Sequence, residues 1–378
     1  MEINTHSGSA RWGRIAAVLL AVIAAVALLV FFAFGTGTAE KLPVTTAQVA
    51  LMDKYDMYVT NRISEALEGV LTVDKVYWLS DEDLVAPEPN QSCYGEADDP
   101  AELQWLLDAA AELLDGQETC FTTETEILEG SKVRYYLDET IFAVTWKTPA
   151  DFGVYTFSEI KIAHPSQFRR FLAGGEYGSE KQFVTTEMAA SVNAVVASSG
   201  DFYRFRNYGT IVYDGIVRRV NNWNVDSCMI DDQGDMHLIR AGELMTMEEA
   251  QKYVDDNNIR FSVAFGPILV EDGKMEWNGE YLLGEVDDFF PRAALCQKDK
   301  LHYVLAVVNV EDNYKFMPTI NRFAMQIDKL GCDKAYTLDG GQTAVIAMND
   351  ELINSVHFGY QREISDIIYF ATAVPDGG

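Results

Sequence analysis

Asp339 carries the most open chemical question in this sequence. It lies in AYTLDGGQTAVIAMND, residues 335–350, where one apolar stretch runs into Asp339-Gly340-Gly341 and leaves into another. Two glycines after an aspartate suit a tight hairpin, because glycine accepts a positive φ without strain. They equally suit a site where backbone must approach a ligand beside a carboxylate. Three other Asp-Gly turns occur, at Asp214-Gly215, Asp232-Gln233-Gly234-Asp235 and Asp272-Gly273, and each reads as an ordinary hairpin connection. Apolar flanks set Asp339 apart, since a desolvated carboxylate requires a partner or a task. A second stretch, VVASSGDFYRFRNYG (residues 195–209), ends an apolar strand in Ser198-Ser199-Gly200-Asp201, followed by Tyr203 and Arg204 among further aromatics and arginines. Small residues, a carboxylate and aromatic faces at a strand end fit a sugar; an ordinary turn is the alternative. In FFPRAALC, residues 289–296, Arg292 opens an apolar strand, so it must pair with a carboxylate or bind an anion such as phosphate.

Other catalytic classes lack their motifs. There is no GxSxG, Walker loop or GxGxxG, and the histidines show no HExxH spacing, which sets aside serine hydrolase, nucleotide-binding and zinc-hydrolase readings. No metal or other cofactor is expected. His164, His237, His302 and His357 read as surface or satisfied core residues.

The elements that must position these groups are mostly strands. From about residue 131 the chain alternates short β-branched and aromatic runs with glycine-containing turns, as in VRYYLDETIFAVTWK, GTIVYDGIVRRV and LHYVLAVVNV. Helices are expected around PSQFRRFLAGG and TINRFAMQIDKLG. Strands follow strands more often than they alternate with helices, so the class is α+β with mixed or antiparallel sheets. Upstream, residues 43–72 have helical spacing, and Asp99-Pro100 caps a second helix that Gly116 stops.

Twenty consecutive apolar residues from Ile15 to Phe34 are long enough to cross a bilayer core of about 30 Å. Arg11 and Arg14 precede them, so the positive-inside rule places the N-terminus in the cytoplasm and the rest outside. A cleaved signal peptide ending near Ala39 is the alternative; both export the domain. The expected organisation is a cytoplasmic tail (1–14), a transmembrane anchor (15–35), a membrane-proximal helical segment (36–130) and a folded domain (131–378). Net charge of −29 disfavours nucleic acid and anionic surfaces as partners. Five cysteines in an exported chain point to two bridges, Cys93 with Cys120 and Cys296 with Cys332, and a free Cys228, with five thiols the alternative.

Taken in order, SSGDFY, YDGIVRR, IDDQGDMHLI, AFGPILVEDGK, PRAALCQKDKLHYVLAVV, LGCDKAYTLDGG and QREISDIIYF resemble the phosphodiester glycosidase family over about residues 131–375. The resemblance implies hydrolysis of a sugar 1-phosphodiester in envelope or exopolysaccharide metabolism, with a carbohydrate phosphodiester or envelope glycan as partner. It assigns Asp339, Asp201 and Arg292 to catalysis, and Ser199, Gly200, Tyr203, Arg204, Gly340, Gly341 and Arg362 to the substrate. Arg204, Arg206, Arg218 and Arg219 would form a basic rim. Departures from the family pattern fall at Ser199, at Asn309 to Asp312, and at Gln342-Thr343, where bulk beside the turn is expected to narrow the pocket. A non-catalytic envelope protein that binds a glycan or an assembly partner is the rival reading.

Overall fold

A computed structural model of the protein describes residues 85–150, 153–276, 288–311 and 317–374. The expected transmembrane span and the helix over 43–72 lie outside the described residues. Among the described residues no helix is long and apolar enough to cross a membrane.

The first strands are β1 (Tyr94–Ala97), β2 (Val133–Leu137), β3 (Ile141–Ala150), β4 (Gly153–Ile162), β5 (Phe168–Leu172) and β6 (Val196–Ser199). They continue as β7 (Ile211–Tyr213), β8 (Ile216–Arg219), β9 (Ser227–Asp231), β10 (Met236–Ile239), β11 (Ile259–Val263), β12 (Ile268–Glu271) and β13 (Lys274–Met275). The last are β14 (Arg292–Asp299), β15 (His302–Asn309), β16 (Lys334–Leu338), β17 (Ile346–Met348), β18 (Glu351–Leu352) and β19 (Asp366–Phe370). Among the described residues four helices accompany them: α1 (Pro100–Leu114), α2 (Thr185–Ser191), α3 (Met247–Asp256) and α4 (Ile320–Asp328). A nine-stranded sheet runs β1-β2-β3-β4-β15-β14-β16-β12-β13, and two five-stranded sheets run β10-β9-β11-β7-β8 and β18-β17-β6-β19-β5. Neighbouring strands run antiparallel, as the α+β reading expects.

The large sheet is buried on both faces: every residue of its central strands β4 and β15 is buried, and β15 is apolar from Tyr303 to Val308. Along β15, Val304, Ala306 and Val308 join α1 and α4 in one core, while Tyr303, Leu305 and Val307 face the five-stranded sheets in another. This is the two-residue period of a strand read out on both sides. Helix α1 starts where expected, with the Asp99 carboxylate accepting from the Ala101 and Glu102 amides, and it buries Leu103, Leu106 and Leu113. It and β1 lie in the segment expected to be membrane-proximal. Both are part of the large-sheet assembly, since β1 pairs with β2 and α1 packs on β3 and β4.

Two local expectations change. PSQFRRFLAGG forms only a turn at Pro165–Gln167 before β5, because every residue of Phe168–Leu172 is buried and pairs with β19. The five cysteines are all thiols. Cys93 lies against one face of the large sheet and Cys120 against the other, which rules out that pairing. Cys332 is instead within hydrogen-bonding reach of both Cys120 and Cys296.

Candidate active site

The Asp-Gly turns at Asp214, Asp232–Asp235 and Asp272 connect the hairpins β7-β8, β9-β10 and β12-β13. Asp339-Gly340-Gly341 does not join a hairpin. It carries the chain from β16 in the large sheet to β17 in a small one. In the register Ala293 faces Leu338, so the next pair along the antiparallel ladder is Arg292 with Asp339. The Asp339 amide donates to the Gly200 carbonyl at the end of β6 (3.4 Å), and the Gly341 amide to the Pro291 carbonyl (2.9 Å). A Cβ on Gly340 would lie 2.5 Å from that same Pro291 oxygen, so only glycine allows the turn to seat there.

The turn floors a cavity of about 180 Å³ lined by Asp339, Gly340 and Gly341, by Arg206, Arg292 and Arg362, and by Phe202, Phe265 and Phe290. Each arginine lies over a phenylalanine ring: Arg206 over Phe265 at 4.4 Å, Arg362 over Phe202 at 5.0 Å, and Arg292 over Phe290 at 5.7 Å. The rings hold the guanidinium groups at the cavity, and Arg292 Nη2 also donates to the Asp288 carbonyl at 2.7 Å. Arg362 Nη2 reaches Asp339 Oδ2 at 2.6 Å. Burial pushes the Asp339 carboxyl up to about 6, against the opposing pull of Arg362, the Thr343 hydroxyl and Arg206. A carboxylate poised near neutrality beside three cations can accept a proton from water while an anionic group is held next to it.

Asp201 sits elsewhere than expected. Its side chain is fully enclosed, accepting from the amides of Tyr203 (2.7 Å) and Ala264 (2.8 Å) and pairing with Arg170 at 3.2 Å. Arg170 also holds Asp366 at 2.9 Å and donates to the Ser262 carbonyl. Asp201 therefore positions the loop that carries Phe202 and Arg206, and does not face the cavity. Gly200 is there because the Asp366 carboxylate fills the space a Cβ would need, at 1.9 Å. Ser199 is buried, its hydroxyl donating to the Asp339 carbonyl (3.4 Å). Tyr203 is buried in a stack with Tyr177, and Arg204 donates to the Ser179 carbonyl. None of these lines the cavity.

Of the expected basic rim, Arg206 alone enters the cavity; Arg219 is committed to the Tyr203 and Tyr208 carbonyls and Arg218 is exposed on β8. Residue type and spacing do not single out the three phenylalanines, although Phe202 and Phe290 lie in the same stretches as Asp201 and Arg292. Gln342 is not among the lining residues, so it does not narrow the pocket. Thr343 retains a hydroxyl against Asp339, and Asn309 donates to the Ala344 carbonyl (3.0 Å), securing the chain beyond the turn. His237 pairs with Asp231 and His302 with Glu159 through its Nε2, while the buried His302 Nδ1 has no hydrogen-bond partner among the described residues.

Fold and cavity together describe an antiparallel-sheet α+β domain with a carboxylate-and-arginine site at the junction of two sheets. Residues 192–371 match the phosphodiester glycosidase family model. A solved hypothetical protein from Synechocystis shares the fold at 14% identity and a TM-score of 0.50, over 64% of each chain. This chain thus spans less than two thirds of that protein. Zebrafish N-acetylglucosamine-1-phosphodiester α-N-acetylglucosaminidase, its catalytic domain auto-inhibited by a pro-peptide, aligns at 16% identity and a TM-score of 0.48, over 68% of this chain and 92% of that one. No curated protein sequence matches the chain significantly.

Proposed function

We propose that the protein hydrolyses the glycosidic bond of a sugar 1-phosphodiester, releasing the sugar and a phosphomonoester. The supporting observation is Asp339, a buried carboxyl held up at about 6 in the same cavity as Arg206, Arg292 and Arg362. Phosphate departs without prior protonation, so the leaving side needs cations and not a second carboxylic acid; the water side needs one base. Asp339 accepts the proton as water attacks the anomeric carbon. The C1–O bond breaks with its electron pair going to the phosphate oxygen, which the three guanidinium groups hold by charge-assisted hydrogen bonds. A cavity net charge of about +2 stands within a chain of net charge −29, and charges farther than about 10 Å are screened at ordinary salt, so the local cations dominate capture.

The apolar run over residues 15–34 supports anchoring of this activity at the cell membrane with the domain outside, where its substrate would be an envelope or exopolysaccharide phosphodiester. Full-length protein is assayed on a panel of sugar 1-phosphodiesters for release of phosphomonoester, with Asp339→Asn as control. Hydrolysis that depends on Asp339 supports the reading. Binding of envelope glycan without turnover of any member of the panel replaces it with the binder. Protease added to intact cells removes most of the protein and leaves a short stub; protection of the domain until permeabilisation overturns the orientation.

A further inference from the structure

Large exposed aromatic side chains that the hydrolytic reading does not use lie next to residues and turns of the cavity. Phe205, Phe289, Phe358 and Tyr360 are 48%, 63%, 74% and 64% exposed. Each is tied to the cavity through a neighbour. Phe205 stacks on the lining residue Phe202 with ring centroids 4.9 Å apart, and Phe289 directly precedes the lining residue Phe290. Phe358 lies in the turn His357–Gly359, which packs on the turn Gly341–Thr343 beside Asp339. Tyr360 is extended and two residues before Arg362. Gln361 between them donates from its side-chain amide to the Thr186 hydroxyl at 3.0 Å. Phe358 also has φ of 64°, a left-handed conformation unusual for a bulky residue, and its ring is kept in solvent nonetheless. Exposed apolar groups gathered at one place mark a contact surface.

We propose that this collar receives an apolar aglycone, so that the substrate is the sugar 1-phosphodiester of a long-chain alcohol. The inference rests on the phosphodiester reading of the site. A phosphodiester has two alcohol sides. Its sugar carbon must reach Asp339 and its phosphate the arginines, which leaves the second alcohol to emerge across the collar. Phenylalanine offers contact area and no hydrogen bond, which matches an alkyl chain.

Methyl, butyl and hexyl phosphate are titrated calorimetrically into the full-length protein in nanodiscs, with empty nanodiscs subtracted. Affinity should rise roughly two- to fourfold per methylene, the increment for burying a CH₂ group. Phe358→Ser combined with Tyr360→Ser should flatten that slope. Methyl phosphate bound with no chain-length dependence sinks the apolar aglycone and leaves the phosphodiester reading intact. A slope that survives the double substitution, or glycerol phosphate bound as tightly as hexyl phosphate, also overturns the proposal. Failure of methyl phosphate to bind at all, in a parent and an Arg292→Ala variant alike, removes the phosphodiester reading itself.

Discussion

Arg362→Gln gives the most direct access to the chemistry, because it removes one charge beside Asp339 and keeps a hydrogen-bond donor. The guanidinium and carboxylate meet at 2.6 Å, and burial still holds the Asp339 carboxyl at about 6. Unit charges with centres roughly 4 Å apart interact by about 4 kcal/mol at an effective dielectric near 20. The Arg362 side chain is 39% exposed, so solvent screens most of this, leaving about 1–1.5 kcal/mol, or about one pK unit. Losing the cation disfavours the carboxylate, so the Asp339 pKa moves upward, from about 6 to roughly 7. A base must be ionised to act, and kcat/KM falls tenfold per pH unit below its pKa. The acid limb of the profile on a sugar 4-nitrophenyl phosphodiester should therefore begin near pH 6 in the parent and about one unit higher in the variant. The plateau should also drop, since one phosphate contact is gone. An acid limb that stays in place or moves to lower pH would refute Asp339 as the titrating base, as would a ¹³C titration of its carboxyl that is blind to Arg362.

Asp339→Asn should lower kcat at least a hundredfold; because its folded pKa is raised, this carboxyl costs stability above about pH 6, and urea unfolding at pH 8 should show the variant no less stable than the parent. Gly340→Ala places a methyl 2.5 Å from the Pro291 carbonyl oxygen and should cost about 1–3 kcal/mol together with most of the activity; an unchanged urea midpoint would show that the turn is not pinned there. Arg170→Met strands Asp201 and Asp366 in the interior, for a loss of about 3–5 kcal/mol. Burial already raises the Asp366 carboxyl to about 7, so this loss should be smaller at pH 5 than at pH 8, where the stranded carboxylates must stay charged; equal losses at the two pH values would contradict the buried ion network.

Much of the architecture is legible in the sequence because it is local. Three Asp-Gly turns form the hairpins they predict, two of them two-residue connections and one of four residues, since so short a connection is decided by the φ its own residues accept. Asp99-Pro100 begins α1 because a side-chain cap and a first-turn proline act within four residues. The alternation along β14 and β15 likewise assigns each side chain to a face, though not to a neighbour. PSQFRRFLAGG shows the limit: its pattern allows a helix, and pairing with β19 some two hundred residues away makes most of it a strand.

The site divides along the same line. Asp201 and Asp339 look alike in sequence, each a carboxylate beside glycine at the end of an apolar run. Arg170 and the Ala264 amide enclose the first, while Arg206, Arg292 and Arg362 line a cavity around the second. Those partners arrive from other strands and loops, so composition and motif order bring both aspartates forward and tertiary packing alone decides which one faces the cavity. Burial and charge are sums over neighbours in space, and the linear chain does not contain that sum until its sheets have met.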